Sequence, residues 1–316
     1  MESLARHNKK MATVSSPTSS LATDSQFFGH PRGLMVCFAT EMWERFSFYG
    51  MKYLLLLYLT KYHLFSDSNG LEVLGSYAAL VYAMPVLGGL LADRYLGMRK
   101  AVVLGGILLV LGHLGMALEG EQARREGDQI LRDQAALQVF YLSLALIVIG
   151  VGFLKPNIST IVGRLYGRDD PRRDAGFTIF YMGINLGAFA ATLLCGYLGE
   201  TFGWRYGFGV AGLGMLVGLA TFLSGQRHLQ GQAEPKDPEL LKKQSPLGLN
   251  IENTIYLCGL LAVAVAWQML QFHGAVGKLL NAMSLAVALG LGWFIIFKCD
   301  PIERSRMIVL MVLTLS

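Results

Sequence analysis

The chain has 316 residues, 53% of them hydrophobic and only 16% charged, with a net charge of +5 at pH 7. Soluble domains carry about 25% charged residues, so this composition excludes an ordinary water-soluble fold and indicates a lipid-embedded one. The basic excess does not mark a nucleic-acid partner, because Lys and Arg recur in alternate loops and do not gather on one face.

Residues 1–30 are rich in Ser, Thr and Lys and lack an apolar core. They read as a disordered cytoplasmic tail, neither a signal peptide nor a span. A bilayer crossing takes about 20 residues at 1.5 Å rise. Apolar runs of that order follow at 34–60, 72–93, 100–118, 137–163, 176–198 and 206–224, which make a six-helix transmembrane bundle over 31–224. A polar, Pro-containing cytoplasmic linker occupies 225–250. Two further spans, 251–271 and 277–298, form a hairpin with its turn expected around Gly274 and Gly277. A last apolar run opens near Met307 and reaches Ser316, too short to span. The chain therefore reads as cut inside a helix, a fragment of a longer protein.

Orientation follows from the basic residues. With the N-terminus inside, the cytoplasmic segments hold 18 of the 27 Lys and Arg and the opposite side 6, while Arg45, Lys52 and Lys155 lie within spans. That excess places the N-terminus in the cytoplasm. The cysteines (Cys37, Cys195, Cys258, Cys299) stand far apart with no metal-ligand spacing and read as small side chains packed between helices. His63, His113 and His273 are isolated and read as structural or surface residues.

The first span is unlike the others. Glu41-Met-Trp-Glu44-Arg45-Phe-Ser-Phe-Tyr49-Gly50-Met-Lys52 puts four charges inside an apolar run. Each charge near a helix centre costs roughly 2.5–3.5 kcal/mol on insertion scales, so four sum to about 10–14 kcal/mol. They must pair or line a watery cavity, which is the signature of a transporter. Glu41 and Glu44 are three apart and Glu41 and Arg45 four apart, so they share a face that Tyr49 and Lys52 continue. Two carboxylates held close in low dielectric cannot both ionise cheaply, and Arg45 is placed to be the intervening cation. A carboxylate whose proton depends on a movable cation is a proton-coupling device. Lys155, alone in the fourth span, is the natural mobile partner; the bland alternative is a static ion-pair network. Deep charge in the first and fourth spans fits the 3+3 repeats of secondary transporters. The positive excess favours an anionic substrate group near Lys52 and Lys155.

Elsewhere, Phe180-Tyr181-Met-Gly183-Ile-Asn185-Leu-Gly187 offers glycines for close helix approach, beside an amide that serves either a helix or a substrate. Tyr82 precedes Pro85 and Gly88-Gly89, a breakable region, although a lone Tyr in a span is more often packing. Asp93 amid Arg94, Arg99 and Lys100 predicts a conformational latch that pairs and unpairs within a short inner loop. No HExxH, GxSxG or facing acid pair is present, so no catalytic residues, no metal site and no enzymatic activity are expected. A non-transporting membrane scaffold or sensor is the remaining different class.

Glu41-x-x-Glu44-Arg45-Phe46-x-x-Tyr49-Gly50 resembles the ExxERFxxYG motif of the proton-dependent oligopeptide transporter family, within the major facilitator superfamily. Phe180-Tyr181-x-x-Ile184-Asn185 resembles its FYxxIN signature, and Gly89 to Lys100 is similar to the major facilitator loop motif. With Lys155-Pro-Asn157 these cover Gly29 to about Tyr197. The resemblance implies an all-α polytopic membrane protein with the major facilitator fold: an N-terminal six-helix bundle plus two inter-bundle helices, with the C-terminal bundle missing. It implies a proton-coupled symporter of the bacterial inner membrane, importing di- and tripeptides by alternating access. It assigns Glu41, Glu44, Arg45 and Lys155 to proton coupling, and Tyr49, Lys52, Tyr82, Lys155 and Asn185 to the peptide. No cofactor is implied beyond protons as coupling ion; the partners are a small peptide, protons and the bilayer, and the protein is expected to be monomeric. The nearest alternative is a same-family transporter of nitrate, an amino acid or a peptide-like compound. Two positions depart from the pattern. Phe48 stands where many bacterial members have Tyr, and Lys52 where Arg is common, without Arg's bidentate fork. Because the family's C-terminal bundle supplies an acidic partner for the peptide amino group, residues 1–316 alone are expected not to transport.

Overall fold

In this computed structural model residues 26–246 and 248–300 are described, together with Glu303, Arg304, Arg306, Met307 and Val309. The expectations for most of the N-terminal tail and for most of the apolar run from Met307 to Ser316 lie outside the described residues.

The helices begin where local chemistry lets them begin. α1 (Arg32–Leu57) starts directly after Pro31, whose locked φ suits a helix entrance. It continues through a π-turn, Tyr58–Tyr62, to His63. α2 (Asp67–Leu91) is capped by Ser66, whose Oγ accepts from the Asn69 amide at 3.3 Å. It runs through Pro85 without breaking and ends in a π-turn, Ala92–Leu96. Gly97, at φ +77°, reverses the chain into α3 (Met98–Met116), a backbone conformation that costs glycine least. Asp133 caps α4 (Gln134–Arg164), accepting from the Ala136 amide at 3.0 Å. α5 (Arg173–Phe202) and α6 (Trp204–Gly225) meet at Gly203. A short α7 (Pro238–Lys242) lies in the linker, and Asn250 caps α8 (Ile251–Gln271), which precedes α9 (His273–Phe297).

Among the described residues six helices, α2 to α6 and α8, are long and apolar enough to cross a membrane. α1 is 26 residues long, and its four charges are what set it apart. α1 is the axis of the bundle, with α5 and α6 against it; α4 packs on α3 and α2, α8 lies on α4 and α9 on α2. Leu34, Met51, Leu54 and Leu55 of α1 and Tyr58 of the π-turn are buried in one core with Phe180, Phe208 and Phe222. The expected close approach at Gly183 and Gly187 is present: a Cβ on Gly187 would stand 2.2 Å from the Met42 carbonyl oxygen, and one on Gly183 2.9 Å from the Phe38 ring.

Two expectations change. The turn between the last two long helices falls at Phe272, not at Gly274 and Gly277, which lie inside α9. The tail is structured from Gln26: β1 (Gln26–Phe27) pairs antiparallel with β2 (His30–Pro31). Phe28 and Gly29 both take positive φ (50° and 78°), the geometry of a two-residue type I′ turn. His30 Nδ1 lies 2.8 Å from the Tyr166 hydroxyl, and the Arg172 guanidinium donates to the Gly29 carbonyl at 2.8 Å, which docks the hairpin on the loop between α4 and α5. A second hairpin, β3 (Arg124–Glu126) with β4 (Gln129–Leu131), occupies the loop between α3 and α4.

Candidate functional site

Three ionisable side chains of α1 lie almost wholly out of solvent: Glu41 is 2% exposed, Glu44 0% and Arg45 3%. Arg45 Nε donates to Glu44 Oε2 and stands 3.2 Å from Glu41 Oε1, so one guanidinium is shared by two carboxylates. Its plane sits 4.9 Å from the Phe48 ring centroid, a favourable place for a desolvated cation. The helical spacing of three and four residues puts the two acids on the Arg45 side of α1, and the glycines of α5 and α6 close the helix off from behind.

The cluster is under-satisfied. Among the described residues Glu41 Oε2, Glu44 Oε1 and Arg45 Nη2 are buried without a hydrogen-bond partner, as is Thr40 Oγ1 one turn before Glu44. Leaving such atoms unpaired is costly. With both acids ionised the triad carries one excess negative charge. It reaches neutrality only when a carboxyl takes a proton or a second cation approaches. Lys155, half-buried on α4, acts on Glu41 through space. Its ammonium lies 5.5 Å over the ring of Tyr82, which is 66% exposed, so Lys155 is held near the acids without an ion pair to either.

The remaining candidates surround this group. Tyr49 is half-buried and edge-on to Phe48 at 5.5 Å. Lys52, half-buried one turn further on, makes no hydrogen bond or ion pair among the described residues. The Asn185 amide nitrogen donates to the Tyr181 carbonyl of its own helix at 3.2 Å, and the residue is exposed. Tyr77 was not legible in the sequence. It is 1% exposed, its hydroxyl has no partner, its ring stacks on Phe48 at 6.5 Å, and Glu44 and Arg45 act on it through space. The available signal was that a buried Tyr hydroxyl ordinarily demands a partner; none was evident nearby in sequence.

The loop residues pair differently from the expected latch. Asp93 accepts from Arg164 of α4 at 3.4 Å and from no basic residue of its own loop. Arg99 grips Glu234 through Nε and Nη2 (2.5 and 3.1 Å) and reaches Gln226 at 3.3 Å. Lys100 donates to Glu252 at 2.6 Å, and the Arg94 guanidinium stacks 5.6 Å over Tyr95. The π-turn and Gly97 turn these side chains outward, and their acidic partners come from the linker and α8.

The POT family profile matches residues 99–314, about two thirds of the sequence. The chain belongs to the POT family. It is 39% identical over 293 residues to the uncharacterized transporter YclF of Bacillus subtilis, covering 89% of this chain and 55% of that protein. It is 40% identical over 227 residues to a di-/tripeptide transporter of Lactococcus lactis, covering 68% of this chain and 42% of that one. In three dimensions it resembles the crystal structure of a mutant of the peptide transporter POT in complex with alafosfalin. The TM-score is 0.68 at 37% identity, covering 91% of this chain and 57% of that one. The chain thus spans about half the length of the POT relatives it matches, and its all-α, multi-pass membrane architecture is theirs.

Proposed function

We propose that this POT-family protein is a proton-coupled symporter that imports di- and tripeptides by alternating access, driven by the inward proton gradient. The observation that carries this reading is the buried Glu41–Arg45–Glu44 triad, in which one cation serves two acids and one atom of each side chain is left without a partner. In the cycle, a proton arriving on a carboxyl releases Arg45 or Lys155, and the freed cation receives the peptide carboxylate. Tyr49, Lys52, Tyr82 and Asn185 surround the peptide, and Lys52 is a cation with no counter-charge of its own among the described residues. Residues 31–224 form the N-terminal bundle, 251–298 an inter-bundle hairpin, and 299–316 open the C-terminal bundle. The protein sits as a monomer in a bacterial inner membrane with its N-terminus in the cytoplasm, and it uses protons as coupling ion with no cofactor. The salt bridges at the α2–α3 junction, Asp93–Arg164 above all, act as a latch between conformations.

Uptake of labelled dialanine in liposomes by the full-length protein, C-terminal bundle included, with and without an imposed inward proton gradient, tests this. Gradient-stimulated accumulation that excess unlabelled dipeptide removes, and that Glu44→Gln abolishes without loss of folded protein, is the expected result. Absence of dialanine uptake by folded protein would overturn the peptide reading. The alternative is then a same-family carrier of a small anion such as nitrate, an amino acid or a peptide-like compound, with unpaired Lys52 as its anchor. Unchanged uptake by Glu44→Gln would overturn the coupling role alone.

A further inference from the structure

A cavity of about 720 Å³ opens between the last turns of α4 and the first turns of α5, lined among others by Ser159, Arg164, Arg168, Arg173 and Tyr181. Its volume is in the range of small-molecule sites, about 300–1,000 Å³. Arg164 is tied to Asp93. Arg168 makes no ion pair or hydrogen bond among the described residues, and the Arg173 guanidinium lies 6.0 Å over the Phe177 ring with no carboxylate against it. Of the acids in the adjoining loop, Asp170 is engaged by Arg172 at 2.8 Å, and Asp169 and Asp174 do not line the cavity. Two guanidinium groups therefore face open space without counter-charge.

The position of the cavity narrows its purpose. Ser159 lies four residues after Lys155 on α4, and Tyr181 four residues before Asn185 on the antiparallel α5. Both walls thus descend one turn, about 6 Å, from residues proposed to surround the peptide. They stay on the same helix faces and lead toward the end proposed to be cytoplasmic. A solute leaving the α4–α5 face at that end meets Arg168 and Arg173 last.

We infer that this cavity is a second oxyanion site, which takes the carboxylate of a peptide on the cytoplasmic side of the Lys155–Asn185 level. It rests on the peptide reading above. The planar guanidinium fork receives a carboxylate bidentately, and two such forks draw the anion away from Lys155 and so favour release. A phospholipid phosphate offers the same chemistry, and the test separates the two.

The KM for dialanine is measured at each face, with right-side-out and inside-out membrane vesicles, for the full-length unsubstituted protein, C-terminal bundle included, and for its Arg168→Gln/Arg173→Gln variant. The double substitution is expected to raise the KM about tenfold at the cytoplasmic face and leave the opposite face unchanged. Dialanine amide, which lacks the carboxylate, should show no such change, and Arg168→Lys/Arg173→Lys should restore most of the loss. The unchanged face also reports that the variant is folded. Normal transport with the same KM at both faces in the Gln variant overturns this inference alone. A KM change that appears in liposomes containing phosphatidylglycerol and vanishes in pure phosphatidylcholine assigns the cavity to a lipid headgroup and overturns it too. No dialanine transport by the unsubstituted protein removes the peptide reading and this inference together.

Discussion

The acids and bases of α1 and those at the α2–α3 junction are similar in number and opposite in condition. At the junction every ion pair joins two different elements at the rim of the bundle: Asp93 to α4, Arg99 to the linker, Lys100 to α8. Within α1 the pairs are local, sealed from solvent, and leave one atom of Glu41, Glu44 and Arg45 idle. Exposed pairs are worth at most about 1 kcal/mol each, so they can open and close without threatening the fold. A buried triad with spare valence is costly to maintain, a cost that the proposed exchange of a proton or a cation would explain.

That contrast is sharpened most by Arg45→Met, which strands two carboxylates away from water. We expect a loss of about 3–5 kcal/mol, read as a lowered melting temperature at pH 7 that recovers partly in acid as the carboxyls protonate. A wild-type melting curve would erase the distinction between the two regions. His63 supplies a buried titratable group of the opposite kind. Burial, assisted by the positive charge of Arg132, pushes its imidazole down from 6.5 to about 4. In the unfolded chain it takes a proton below about pH 6.5, whereas the folded chain holds it neutral until about 4. Its contribution is therefore whole above pH 6.5 and is lost as pH falls toward 4, by up to about 3 kcal/mol at 1.36 kcal/mol per unit. His63→Phe, which fits beside Tyr58 and Phe140, should flatten the decline in melting temperature over that window; an unaltered slope would locate it elsewhere.

Tyr77→Phe removes a hydroxyl that has no partner, so stability should change by less than about 1 kcal/mol. If the hydroxyl serves Glu44 when Arg45 departs, the pH profile of gradient-driven uptake should move by about half a unit; no movement reduces Tyr77 to packing against Phe48. Arg99→Gln is expected to be the mildest, below about 1 kcal/mol and smaller still in high salt. A larger loss, or one indifferent to salt, would show that the rim is not the lightly held region described.

Long spans were legible because hydropathy needs only length: α4 and α6 lie within three residues of their expected ends. The pieces between spans were not, because turn geometry decides them. The I′ turn at Phe28-Gly29 gives little warning when its first residue is aromatic, and glycines inside α9 mimic a turn that Phe272 makes instead. At the site, Glu41, Glu44 and Arg45 stood out as charges in an apolar run, and their spacing gave their contacts. Asp93's partner, Arg164, is 71 residues away, and no local pattern could supply it. Tyr77 was invisible for the reverse reason: an aromatic side chain in an apolar span looks like every other packing residue.

The glycines behind α1 bear on how the molecule can move. Cβ atoms on Gly187 of α5 and Gly214 of α6 would strike the Met42 carbonyl oxygen and the Phe46 ring, at 2.2 and 2.6 Å. α1 is therefore seated backbone-to-backbone between two neighbours, like a shaft in a fitted bearing. Sliding by one residue, about 1.5 Å, would push side chains into hollows shaped for a hydrogen atom. The charged triad cannot be presented to alternate sides by shifting α1 alone. The stroke of the proposed cycle would then come from rotation of the Arg45 and Lys155 side chains, or from α1, α5 and α6 swinging together as one lever.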